Sequence, residues 1–238
     1  MKNSDNQRTR NGLRHAAGHG VPLYLGESIA SDLQEVGERT DGGTTRSRIL
    51  LTAIALFAER GYENLSMRAL ASHVGLKAPT LYNYYESKEQ LLIESIELGM
   101  NDFFGCVLKD IESVPREDRL FEIIRRHAGY KMRHRLIARA NDRLIDPQFA
   151  RMFLPEEVAQ YFIGKLTNYR HTVQELVSDY ITDNSEVSAQ LITISILSQC
   201  DRTAYWFNPE GALSVEQALQ QVLIIVRRML GPAANTAT

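Results

Sequence analysis

Between Lys77 and Lys88, the residues Lys77, Thr80, Tyr82, Asn83, Tyr84 and Lys88 crowd ammonium, hydroxyl, amide and ring groups into one short polar segment, with Leu76 and Leu81 as its evident core anchors. Such a mixture suits a surface that meets phosphate oxygens and base edges together, because lysine brings charge, tyrosine a hydroxyl on a stiff ring and threonine a hydroxyl beside a methyl. A second group lies farther along. Ile123, His127, Tyr130, His134 and Ile137 recur at spacings of four and three, which aligns two histidines and a tyrosine on one helical stripe. A pocket wall and a core of satisfied histidines both fit that stripe. Metal ligation fits less well, since His127 and His134 stand about two turns apart with no third ligand evident nearby.

The same stretch is strongly basic. Arg119, Arg125, Arg126, Lys131, Arg133, Arg135, Arg139 and Arg143 face only Glu122 and Asp142, and Lys131, Arg135, Arg139 and Arg143 would stack along one side of a continuous helix. Acidic residues of neighbouring helices can offset them, and so can a phosphate-bearing ligand such as a coenzyme A thioester, because arginine grips phosphate bidentately. Phe103, Phe104, Phe149, Phe153, Tyr161, Phe162 and Tyr169 supply aromatic area for a core or a cavity. The candidate ligand contacts are therefore His127, Tyr130, His134, Arg126, Phe104, Tyr161 and Phe162.

Helices must position all of these. Ile49, Ala53, Leu56 and Phe57 keep helical spacing from Thr45 until Arg60-Gly61 closes the segment. Ser66 caps a helix that ends at Gly75, a third short helix is expected over 77 to 84, and Ser87 to Gln90 has the form of a capping box for the fourth. Two short helices joined by a glycine turn and braced by a preceding helix make a helix-turn-helix, whose second helix enters the DNA major groove. Further helices are expected over about 117–142, 147–152, 155–181, 186–207 and 214–230, with a break or a fully enclosed helix near Gly129. No stretch alternates with period two, so the fold class is all-α. The divisions are a flexible extension over 1–44, the helix-turn-helix domain over 45–90, a ligand-binding and dimerisation domain over 91–231, and a disordered tail over 232–238.

The chain has 238 residues and a net charge of −2, so any nucleic-acid footprint depends on charge placement rather than on overall charge. Segment 45–89 carries six Lys or Arg against four Glu, a small excess that calls for a dimer to gather enough phosphate contacts. No apolar run is long enough for a membrane span, the N-terminus lacks a secretory core, and Cys106 and Cys200 read as small core residues. A cytoplasmic location follows as the expectation. No cofactor is called for. Nor is an enzyme, since the sequence lacks a Gly-x-Ser-x-Gly elbow, a phosphate-cradling glycine loop and an HExxH motif.

The run TRSRILLTAIALFAERGYENLSMRALASHVGLKAPTLYNYYESKEQLL resembles the N-terminal domain of TetR-family transcriptional regulators. Phe57 and Gly61 match the end of the family's first helix, Ser66 to Gly75 its second helix and turn, and Thr80-Leu81-Tyr82 with Ser87-Lys88 its recognition helix and the start of the fourth. By that resemblance Lys77, Ala78 and Pro79 stand at base-contacting positions, and Thr80, Tyr82, Asn83, Tyr84, Lys88 and Ser66 where phosphate or base contacts are common. Arg46 and Arg68 join them as candidate DNA contacts. Tyr85 replaces the usual phenylalanine, so its ring is expected to pack inward. The closing stretch DRTAYWFNPEGALSVEQALQQVLIIVRRMLG resembles the C-termini of members that respond to acyl-CoA or related carboxylate metabolites.

The resemblance implies a homodimeric regulator of a double-stranded DNA operator, most often a repressor, released by a small-molecule effector. A helical adaptor or an enzyme with an inert helix-turn-helix is the alternative. The dimer contact is expected from Leu191, Ile194, Leu197, Val215, Leu219, Val222, Val226 and Met229, which leave more apolar surface than a lone domain should expose. For Arg8, Arg10 and Arg14 in the extension, a minor-groove arm, a disordered leader and a gating or clasping segment all remain open.

Overall fold

A computed structural model describes residues 45–181 and 187–231, with Leu136 described in its backbone only. Calls made for the extension over 1–44 and the tail over 232–238 lie outside the described residues. The described residues form ten α-helices and one 3-10 turn, with no strand among them. These are α1 (Thr45–Arg60), α2 (Met67–His73), α3 (Ala78–Tyr82), α4 (Lys88–Val107), α5 (Arg116–Arg133), α6 (Arg135–Leu144), α7 (Pro147–Phe153), α8 (Glu156–Ser178), α9 (Ala189–Trp206) and α10 (Val215–Leu230). No helix among them is long and apolar enough to cross a membrane.

Local chemistry sets the first four. The Ser66 hydroxyl accepts from the Ala69 amide at 3.1 Å and starts α2. Gly61 and Gly75 end α1 and α2 at φ 81° and 71°, a left-handed conformation that a side chain would disfavour. The Ser87 hydroxyl caps α4 through the Gln90 amide, but the Gln90 side chain accepts from Glu86 N–H rather than from Ser87, so the expected capping box is displaced by one residue. A complete box forms instead at Ser214 and Gln217, opening α10.

The helix expected over 117–142 is two helices. The break falls at His134 (φ −112°, ψ 45°) and not at Gly129, which lies within α5. A bond between Lys131 and Asp142 demonstrates the turn, because residues eleven apart on a straight helix sit about 16 Å apart along its axis. Folding back places α6 against α1, α4 and α9.

Two main hydrophobic clusters result. One joins Ile49, Phe57, Leu70, Leu81 and Tyr85 to Leu144, Ala150, Ala159 and Phe162, so the helix-turn-helix shares its core with α6, α7 and α8. The other fills the space between α5, α8, α9 and α10. α4 runs through both, since Leu91 and Leu92 belong to the first and Val107 to the second.

Candidate DNA interface and ligand cavity

At the helix-turn-helix, Leu81 and Tyr85 are fully buried and fix α3 from beneath. The Tyr85 ring packs inward as expected, with its hydroxyl donating to the Arg46 carbonyl at 3.4 Å. Burial, followed by the nearby Glu94 charge, pushes this phenol up to about 12. Lys77, Pro79, Tyr82 and Asn83 are exposed on the outer side of α3, while Ala78, Thr80 and Tyr84 are partly covered. Arg68 is exposed on α2, and Ser66 is exposed while its hydroxyl caps that helix.

Two candidate contacts are engaged within the protein. Arg46 donates to the Tyr84 carbonyl at 2.6 Å and to Glu94 at 2.5 Å, and its guanidinium stacks 4.4 Å above the Tyr85 ring. It clamps α1 to both the recognition segment and α4. Lys88 donates to the Glu63 carbonyl at 3.3 Å over the Tyr62 ring, and partial burial lowers its pKa. Both therefore position the recognition unit, and only the remaining donors of each can reach outward.

In the other half a cavity of about 620 Å³ opens between α4, α5, α6, α7, α8 and α9. Met100, Phe103, Phe104, Ile163, Leu166 and Leu197 give it apolar walls. Phe103 is their hub, meeting His127, Tyr130 and Tyr169 edge-on at 4.8, 5.3 and 5.7 Å.

A polar network lies along one side. His127 Nε2 stands 3.0 Å from Asp201 and its Nδ1 3.1 Å from the Tyr169 hydroxyl. Because a carboxylate only accepts, Nε2 carries the proton toward Asp201, which leaves Nδ1 to accept from Tyr169 when the ring is neutral. Lys131 bonds Asp142 and lies 3.1 Å from Asp201. Burial works against the Lys131 ammonium, but the two carboxylates outweigh it and hold its pKa above the ordinary value. Burial likewise opposes the Asp201 carboxylate, and the His127 and Lys131 contacts reverse the balance and hold it well below its usual range. Tyr130 donates to Asp102 at 2.8 Å.

His127, Tyr130 and Phe104 thus line the cavity. The remaining four candidate ligand contacts do not. Arg126 is turned to Glu122 and to the Val107 and Lys109 carbonyls at the end of α4. His134 is buried at the α5–α6 break against Tyr130. Tyr161 is exposed beneath Lys165, and Phe162 is locked in the core shared with the helix-turn-helix. The basic stack is also undone by the break. Arg139 donates to the Ala204 and Tyr205 carbonyls and Arg135 to Ala204, so both cap the C-terminal end of α9.

Among the described residues, the arginines that do line the cavity are Arg151, Arg170 and Arg202, all exposed. These arginines, Asn141 and Asp201 escaped the sequence reading, and Lys131 and Asp142 entered it only as members of the basic stretch, because these lining residues come from α5 to α9 and share no local spacing.

Residues 49–94 match the family model described as bacterial regulatory proteins, tetR family, and residues 113–230 the model described as tetracyclin repressor-like, C-terminal domain. The HTH-type transcriptional repressor KstR2 of Mycolicibacterium smegmatis is 25% identical over 190 residues, 76% of this chain and 88% of the relative. Among solved structures, the ketosteroid transcriptional regulator KstR2 of Mycobacterium tuberculosis superposes with a TM-score of 0.66 at 21% identity, covering 79% of this chain and 94% of that one. AibR in complex with isovaleryl coenzyme A and operator DNA gives 0.65 at 23% identity, covering 76% and 96%.

Proposed function

The chain belongs to the TetR family of bacterial transcriptional regulators, and from that footing we propose that it is a ligand-responsive repressor. It grips a double-stranded operator as a homodimer and lets go when a small amphipathic anion, an acyl-CoA or related carboxylate, fills the cavity. The observation that carries this reading is the make-up of that cavity, apolar inside and lined also by three exposed arginines, on a wall that includes α4. Hydrocarbon prefers the first environment and phosphate or carboxylate the second. AibR, which shares the fold, is described in complex with isovaleryl coenzyme A and operator DNA, and that pairing supports the same division of labour here.

The geometry gives the signal a path. Gly99, Met100, Phe103 and Phe104 line the cavity from α4, whose first turn is capped by Ser87 in the helix-turn-helix. Asn141, Asp142 and Ile145 line it from α6 and the residue after it, and α6 packs on α1. A ligand that binds one placement of these helices better than another shifts the population toward it. In a dimer that shift alters the separation of two recognition helices, which must match half-sites spaced by DNA turns.

The test has two steps. The purified protein selects DNA from a random pool, and the enriched sequence is then titrated with octanoyl-coenzyme A in a fluorescence anisotropy assay. Enrichment followed by ligand-driven release is the expected result. Failure to bind any duplex above the random level would favour an adaptor or an enzyme with an inert helix-turn-helix.

A further inference from the structure

We propose that Asn141 is the residue by which the cavity selects its ligand, and that it selects for a secondary amide carried between an apolar tail and an anionic end. The inference rests on the amphipathic-anion reading above and adds a group that neither end of such a molecule supplies. Asn141 is 6% exposed, lines the cavity from α6, and its Oδ1 is a buried acceptor with no hydrogen-bond partner among the described residues. Other polar groups of the wall are taken: His127 by Tyr169 and Asp201, Lys131 by Asp142 and Asp201, and Tyr130 by Asp102. An unmade bond at a buried acceptor costs stability, and a ligand that makes it recovers that cost as affinity.

The amide is also held in place. Gly99 of α4 passes so close that a Cβ there would lie 2.2 Å from Asn141 Nδ2 and 2.4 Å from its Oδ1. The side chain therefore lies flat against the α4 backbone, and its donor and acceptor present a fixed edge. The unpaired group is the Oδ1 acceptor, and the N–H of a secondary amide is a neutral donor that can fill it. A plain fatty acid has no such group along its chain. Arg151, Arg170 and Arg202 are exposed whereas Asn141 is buried, which orders the ligand as tail, amide and then anion from the inside outward.

The experiment compares two probes with one tail. Octanoyl-coenzyme A carries secondary amides between its acyl chain and its phosphates, and octanoate carries none. Asn141→Leu keeps the shape of the side chain and removes its polar atoms. Calorimetric titration is expected to show octanoyl-coenzyme A weakened about tenfold by the substitution and octanoate by less than about twofold, the size of one hydrogen bond. The ligand-free variant is expected to melt higher than the wild type, since a buried unpaired acceptor is gone. A lower melting temperature would show that the amide already has a partner such as an ordered water, and would overturn the proposal. Equal weakening of both probes, or of neither, would overturn it too. If the wild type binds neither probe, the amphipathic-anion reading falls and takes this one with it, so the two failures are told apart. Asn141→Ala serves as the second variant, with the same discrimination between probes expected.

Discussion

Gly99 on α4 and Asn141 on α6 touch backbone to amide, in a space that no side chain at position 99 could share. The contact ties the helix that begins in the helix-turn-helix to the helix that lines the cavity.

Gly99→Ala should therefore destabilise the protein even though alanine is the better helix former by about 1 kcal/mol. The added methyl must push the Asn141 side chain aside, and overpacking of this kind costs about 1–3 kcal/mol. In Gly99→Ala/Asn141→Ala the clash is gone, and the glycine substitution should become neutral or stabilising relative to Asn141→Ala alone. Urea unfolding of the four proteins checks the reversal of sign; a methyl that costs the same with and without Asn141 would contradict it.

On the DNA side, Lys77 and Arg46 should behave differently. Lys77 is exposed and caps α3 only through its backbone, so Lys77→Ala should leave the melting temperature unchanged and mainly relax base preference, by about 1–3 kcal/mol on operators substituted at one position. Arg46→Ala removes the clamp on the Tyr84 carbonyl, Glu94 and the Tyr85 ring, and should lower both stability and affinity. Thermal melts beside binding isotherms on the selected and the substituted operators separate the two.

The Asp201 network predicts an acid limb in stability. Its carboxyl has a lowered folded-state pKa, so its contribution is full above the unfolded value of about 3.9 and is lost as pH falls through the folded one. Asp201→Asn should cost about 1 kcal/mol at pH 7, since nearly half of its side chain faces solvent, which screens its bonds to His127 and Lys131. It should also flatten the stability profile below about pH 4 relative to the wild type. Denaturant titrations across pH measure both; an unchanged acid limb would mean that other carboxylates carry it.

Of the apolar residues that the periodicity suggested for a dimer, Leu191, Ile194 and Met229 are exposed and Leu219, Val222 and Val226 are not. Leu219, Val222 and Val226 are buried in the protomer's own core, whereas Leu191 and Ile194 on α9 and Ile224, Ile225 and Met229 on α10 are exposed. Ile224→Glu/Ile225→Glu should yield a helical monomer by analytical ultracentrifugation. Leu219→Glu should unfold the chain, because it buries a charge beside Val222 and Ala218 without a partner. A dimer that survives the double substitution would place the interface elsewhere.

Short-range rules made the helix-turn-helix readable from the sequence. Phe57 at helical spacing, the Ser66 and Ser87 caps, Gly61 and Gly75 at positive φ and the inward Tyr85 each depend on a few neighbouring residues, and each sits as the residues alone imply. The second half obeys the same rules for its helix ends, yet its chemistry was hidden. His127 meets Asp201 across 74 residues, Tyr169 across 42, and Lys131 meets Asp142 only because the chain turns at His134. Periodicity says which residues share a face but not which neighbour that face meets. Thus Arg135 and Arg139 caps α9 instead of holding a ligand, and Leu219 fills the core instead of a dimer seam. Packing among six helices decided which arginines line the cavity and left Asn141 Oδ1 without a partner, since both depend on long-range contacts that no local spacing encodes.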